Sequence, residues 1–200
     1  MTTIEFFYDV SSPWTYFAYD RIEDFCARNK AELVWKPFLV GGVFNKVNPS
    51  VYQRRENPVP PKDNYYRKDM QDWARYQGIE MIKPSVFPVN SVKALRGAFV
   101  AIEEGTVSEY SGACFKAYWV DDKDISQEDV LRDIVTSVGM DADAFFAKIG
   151  DDAIKRKLFE TTDDLIARGG FGSPTFFLDR DDMYFGNDRL EVMQAAIDRK

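Results

Sequence analysis

The pair Ser12-Pro13 is where residue type and spacing first suggest chemistry. Serine is a favoured helix N-cap and proline is preorganised for the first helical position, so the pair marks the mouth of a helix. Unpaired backbone N–H groups and the helix dipole make such a mouth attractive to negative charge. The hydroxyl there is either a cap alone or a donor placed against an anion. Ser11 competes for both roles, but the proline that follows selects Ser12. Other chemistries are closed. The sequence has no histidine, which removes Ser-His-Asp triads, papain-like Cys-His pairs and His-ligated zinc. Cys26 and Cys114 form no CxxC pair. Cys26 falls on the apolar side of a helix after Ile22 and Phe25, and Cys114 lies among Ala113, Phe115, Ala117 and Trp119. Both read as buried core thiols in a reducing compartment. The run Asp121-Asp122-Lys123-Asp124 lacks the glycine and terminal glutamate of a calcium loop. It reads as a connection capped by Ser126, and no metal site is expected.

Charge and composition narrow the partners. A net charge of −7 with no long basic block disfavours binding to a nucleic-acid backbone, which needs clustered cations. Met1 to Val10 carries Glu5 and Asp9 and no cationic start, unlike a signal peptide, and no apolar run approaches a membrane span. Cytoplasm is the expected location. The 200 residues suffice for one core, or one core with an inserted lobe, and the 15% aromatic content can serve that core or line a pocket.

The elements that must position Ser12 follow from periodicity. Ile4 to Tyr8 predicts an aromatic-rich strand, and apolar spacing through Trp14, Phe17, Ile22 and Phe25 predicts a helix ending near Asn29-Lys30. Glu32 to Phe38 supplies a second strand, parallel to the first. Residues 41–61 look irregular, broken by Pro49, Pro58, Pro60 and Pro61. Helical spacing then fills 63–77, 91–104, 107–119, 127–138, 141–149 and 151–168. Thr175-Leu178 and Met183-Phe185 flank the turn 179–182 as a hairpin, and a last helix spans Asp188 to Asp198. The order βαβ, many helices, ββα is that of an α/β thioredoxin-like fold with a large all-helical insertion. Residues 1–40 and 155–200 make the thioredoxin-like part and 41–154 the insertion.

At Phe7-Tyr8-Asp9-Val10-Ser11-Ser12-Pro13-Trp14 the sequence resembles the kappa-class glutathione transferase and 2-hydroxychromene-2-carboxylate isomerase family. The resemblance continues in order through Val59-Pro60-Pro61-Lys62, Phe87-Pro88-Val89-Asn90-Ser91, Gly172-Ser173-Pro174-Thr175-Phe176 and Phe185-Gly186-Asn187-Asp188-Arg189-Leu190. It implies a DsbA-like thioredoxin fold, glutathione as cofactor, a small aromatic substrate and a homodimer. Ser12 would replace the first cysteine of a thioredoxin CxxC and hydrogen-bond the glutathione thiolate as the catalytic residue. Thr15 would replace the second, which excludes disulfide exchange. Ser173-Pro174 would be a cis bond that turns the Ser173 backbone towards Ser12, free to pair with glutathione. The backbone at Asn187-Asp188-Arg189 would receive the γ-glutamyl carboxylate, with Asp188 on its ammonium group; Asn187 stands where relatives usually carry glutamine. For Arg189 a plain surface arginine remains an alternative. Lys62 would meet the glycyl carboxylate, and Trp14, Phe44, Phe87 and Asn90 would line the substrate cleft, although core packing could use each aromatic singly. The segment 48–57, with Arg54-Arg55, departs from the family pattern. The resemblance leans towards the isomerase, with a kappa-like transferase and a non-catalytic glutathione- or partner-binding protein as alternatives.

Overall fold

The computed structural model describes residues 1–199; residue 200, the end of the expected C-terminal segment, lies outside them. Strand β1 (Thr3–Tyr8) leads into helix α1 (Pro13–Asn29), which returns through β2 (Glu32–Pro37). The two strands pair in parallel, Thr3 opposite Glu32 through Tyr8 opposite Pro37, as a crossover helix demands. Helix α1 stops at Lys30, whose left-handed φ of 50° lets its N–H and that of Ala31 close on the last carbonyls.

The stretch expected to be irregular contains two short helices, α2 (Val40–Val47) and α3 (Ser50–Glu56). Two adjacent glycines in α2 argue against helix on propensity alone. Tertiary packing overrides them: Val43 is buried, and a Cβ on Gly42 would stand 3.3 Å from Cγ2 of Thr162, so glycine admits the close approach. Helices α4 (Pro60–Gln77), α5 (Val92–Glu104), α6 (Val107–Trp119), α7 (Glu128–Ser137), α8 (Ala142–Ile149) and α9 (Asp152–Ala167) follow the spacing read from sequence. The cap before α7 differs from expectation. Gln127 occupies the N-cap position, while Asp124 accepts from the Ser126 N–H and the Gln127 amide and so shapes the turn instead.

Strands β3 (Thr175–Leu178) and β4 (Asp182–Phe185) form the antiparallel hairpin, with β3 antiparallel to β1. The sheet order is β2-β1-β3-β4. The last helix starts later than expected: Asn187–Arg189 is a 3₁₀ turn, and α10 spans Leu190–Ile197. Gly186, at φ 108°, redirects the chain here, and the Asp188 carboxylate folds back so closely that a Cβ on Gly186 would lie 2.8 Å from it.

Alternation along the central strands divides the core in two. Ile4, Phe6, Tyr8, Phe176 and Leu178 join a large cluster with Ile22, Phe25, Leu190 and the insertion residues Leu95, Phe115 and Leu131. Phe7 and Phe177 face the other way, against Phe38, Val43 and Leu165. Both faces of β1 and β3 are therefore buried, and their C-terminal and N-terminal ends respectively frame the start of α1. No helix among the described residues is long and apolar enough to cross a membrane.

Candidate active site

Ser12 is the N-cap of α1, in extended conformation, with its Oγ accepting from the Thr15 N–H at 3.3 Å. The same hydroxyl donates to the Ser173 carbonyl at 3.2 Å. The Ser173-Pro174 bond is cis, as is Phe87-Pro88. Ser173 is tied in further: its hydroxyl shares a 2.7 Å hydrogen bond with Thr15 Oγ1 and accepts from the Asp9 N–H at 3.1 Å. The two positions expected to replace a CxxC thus meet one loop through hydroxyls. The Ser173 carbonyl, expected free for a ligand, rests on the Ser12 hydroxyl, so pairing through it would require exchanging that bond.

Pro174 links this cluster to the last helix. Its carbonyl accepts from the Gly186 N–H at 3.1 Å, which brings Asn187 alongside. Asn187 is buried, and its Nδ2 has no hydrogen-bond partner. A buried amide donor left unpaired costs about 1–3 kcal/mol, so this atom invites an acceptor. Asp188 and Arg189 are half-exposed and pair with each other at 3.2 Å. Ser12, Ser173, Pro174, Asn187 and Asp188 therefore lie along one continuous chain of contacts, with Arg189 on its outer side.

A second group gathers around α4. The Trp14 indole donates to the Tyr66 hydroxyl at 3.1 Å, with the rings edge to face. Lys62 lines a groove of about 560 Å³ with Arg54, Pro61, Tyr65, Tyr66 and Asp69. The Arg54 guanidinium sits 4.6 Å from the Tyr66 ring centre, and Arg55 sits 5.4 Å from that of Phe87. Phe87 also packs against Trp119. Phe44 meets Tyr52 edge to face instead. Asn90 is exposed and accepts from the Val92 N–H at 3.1 Å, holding the start of α5. Among the described residues no ring contact or hydrogen bond joins Phe44 or Asn90 to Ser12, Trp14 or Tyr66.

Asp9 and Tyr66 went unassigned in the sequence. Asp9 is fully buried; its carboxylate accepts from the N–H groups of Ser11 and Val40 at 2.9 and 3.0 Å and from the Ser91 hydroxyl at 3.2 Å. Its own carbonyl accepts from the Ser12 N–H. Burial raises its pKa above the ordinary carboxylate value, against the pull of those donors. One side chain thus ties the serine loop to α2 and to the start of α5. A carboxylate three residues before the serine was a visible signal, but its burial was not. Burial likewise raises the Tyr66 phenol, opposed by Trp14, Arg54 and Arg55. The Cys26 and Cys114 thiols, far from reactive, are each pushed up to about 12 by burial.

The DSBA-like thioredoxin domain family model matches residues 3–198. The chain belongs to that family. Within this DSBA-like framework it is 25% identical to a 2-hydroxychromene-2-carboxylate isomerase of Sphingobium xenophagum over 195 residues, 98% of this chain and 97% of the relative. It is 26% identical to glutathione S-transferase kappa 1 of Rattus norvegicus over 212 aligned positions, covering 98% and 91% of the two chains. A solved structure of a 2-hydroxychromene-2-carboxylate isomerase superimposes with a TM-score of 0.82 at 25% identity, covering 98% of this DSBA-like chain and 95% of that one. The kinship is with enzymes named as isomerases and glutathione transferases.

Proposed function

We propose that this protein is a glutathione-dependent isomerase of the 2-hydroxychromene-2-carboxylate type, acting on an aromatic pyruvate, with Ser12 as its catalytic residue. The observation that carries the reading is a serine hydroxyl at a helix mouth, where disulfide exchange would need a cysteine, in hydrogen-bond contact with the Ser173 carbonyl. The residues fit the cofactor: the orphaned Nδ2 of Asn187 needs an acceptor such as a γ-glutamyl carboxylate, with the Asp188 carboxylate one residue on. Lys62 has no ion-pair partner among the described residues and suits a second carboxylate.

When bound, glutathione supplies a thiolate that adds reversibly to a conjugated carbon, makes the double bond single, lets it rotate, and leaves. Ser12 exchanges its neutral acceptor for an anionic one, and the start of α1 adds its dipole. Holding a thiol two units below its usual value of roughly 8.5 needs about 2.7 kcal/mol, within reach of those two effects together. Thr15 and Ser173 hold the loop so that the hydroxyl need only reorient. The reading carries with it a cytoplasmic location and a homodimer, the latter checked by sedimentation.

Glutathione titration with thiolate absorbance tests the assignment. Wild type should bind and show thiolate near neutral pH, and Ser12→Ala, which keeps the helix dipole, should raise the bound thiol pKa by about one unit, a roughly tenfold fall in the thiolate-to-thiol ratio. Wild type failing to bind at millimolar glutathione would remove the cofactor. The kinship with a kappa transferase favours a second reading, in which the thioether persists. A stable conjugate from an arylidene pyruvate would replace the isomerase with that transferase.

A further inference from the structure

Every polar group of Asp9 is committed to a partner, and the pattern of those partners goes beyond a structural tie. Its N–H donates to the Ser173 hydroxyl at 3.1 Å, its carbonyl accepts from the Ser12 N–H at 3.0 Å, and Oδ1 accepts from the Ser11 N–H at 2.9 Å. One residue therefore holds both ends of the Ser12–Ser173 contact. Oδ2 serves other elements: it accepts from the Val40 N–H, at the first position of α2, and from the hydroxyl of Ser91, the N-cap of α5. Ser91 makes no side-chain cap on its own helix, although a serine there is ordinarily worth about 1 kcal/mol as a cap. Its hydroxyl goes to Asp9 instead. Leu39, the N-cap of α2, makes no side-chain cap either, and the same carboxylate takes the first N–H of that helix. The mouths of α1, α2 and α5 thus converge on one fully buried carboxylate whose donors are all neutral.

We infer that Asp9 is the positioning residue of this site: by accepting from donors at three helix mouths, it fixes the turn that presents the Ser12 hydroxyl to an incoming sulfur. The identity of that sulfur rests on the glutathione-dependent reading. Asp9 touches no reacting atom and acts through Ser12. The two bonds of the Ser12 hydroxyl, 3.3 Å from the Thr15 N–H and 3.2 Å to the Ser173 carbonyl, lie at the long end of the hydrogen-bond range. A small movement of the turn therefore loses them. An anion in this turn also acts through its charge, by repelling a thiolate. The two effects have opposite signs: losing the positioning makes the thiol less acidic, and losing the repulsion makes it more acidic. The converging helix mouths offset the charge of the carboxylate, so the positioning effect governs.

The bound glutathione thiol, titrated through its thiolate absorbance, tells these effects apart. Asp9→Ala should lower the thiolate-to-thiol ratio about tenfold, the effect of losing the Ser12 hydrogen bond. In a Ser12→Ala background the same change should have no further effect, because Asp9 acts through that hydroxyl. Asp9→Asn keeps one accepting oxygen and should show an intermediate fall of about threefold, so the test stands even where Asp9→Ala does not fold. A ratio that rises or keeps its wild-type value in both variants would overturn the inference. So would a fall of equal size in the Ser12→Ala background, because a general loosening of the fold needs no serine. Ser12→Cys gives the same readout without glutathione. The introduced thiol, measured by its alkylation rate against pH, should become less acidic by about one unit when Asp9→Ala is added. Cys26 and Cys114, buried and each pushed up to about 12, stay silent in that assay. Failure of wild type to bind glutathione would strike the functional reading, and this second assay would then decide the role of Asp9: unchanged or greater acidity of the introduced thiol would overturn it.

Discussion

At the scale of single residues, Asp9 carries more of the site's architecture than its position suggests. A buried carboxylate without a cation normally weighs against stability, unless donors surround it. Here the Ser11 and Val40 N–H groups and the Ser91 hydroxyl do so. Removing the acceptor leaves them unpaired in the interior, at about 1–3 kcal/mol for a typical orphaned donor. Asp9→Ala should therefore lose about 2–4 kcal/mol in urea unfolding, after some relaxation. Asp9→Asn should lose less, because an amide keeps one accepting oxygen. A loss for Asp9→Ala below about 1 kcal/mol would mean that the carboxylate is not the tie.

Elements meet through close approaches that glycine permits. Helix α5 packs against α6 and α8, and a Cβ on Gly97 would stand 2.3 Å from both Phe145 Cζ and the Tyr110 hydroxyl. Tyr110 is fixed there by its bond to the Ala94 carbonyl. Gly112 of α6 is also crowded, with Tyr19 Oη at 2.2 Å; Tyr19 is part-buried, and retreating would cost its bond to the Ser108 carbonyl. Alanine gains about 1 kcal/mol over glycine in a helix, and overpacking costs about 1–3 kcal/mol. Gly97→Ala should consequently lower the thermal midpoint clearly, while Gly112→Ala should lower it less. Equal effects would show that α5 can shift. The same scale explains why α2 escaped the sequence: its glycines lower propensity locally, and only the approach of Thr162 on α9 shows what they are for.

Across the whole molecule, Glu5 joins the sheet to the helix that returns from the insertion. Its carboxylate pairs with Arg168 at 2.5 Å, just past α9, and with Lys36 on β2 at 3.3 Å. Arg168 in turn lies over the Phe177 ring at 3.7 Å. Burial opposes ionisation of Glu5, but Arg168 and Lys36 prevail and hold its pKa below the ordinary 4.5. Below that value the unfolded chain binds a proton that the folded state refuses, so stability rises with pH across this window. The contribution is complete above 4.5 and is lost as pH falls through the folded value. Arg168→Met should flatten this acid limb in urea midpoints measured from mildly acidic to strongly acid pH. Parallel curves for the variant and wild type would assign the limb to other carboxylates.

The aromatic-rich run Ile4-Tyr8, capping chemistry at Ser12-Pro13 and helical spacing through the insertion are local signals. They specified the order of the strands and longer helices, the N-cap role of Ser12 and the buried thiols of Cys26 and Cys114, but not α2 and α3. Family-specific residues added the cis bond before Pro174. Three features needed the folded chain: the carbonyl on which the Ser12 hydroxyl rests, the orphaned amide of Asn187, and the burial of Asp9 among donors from α2 and α5. Each depends on residues far apart in sequence. Hydrogen bonding and desolvation at such points depend on which surfaces meet, and a periodicity within one segment carries no record of its partner in another.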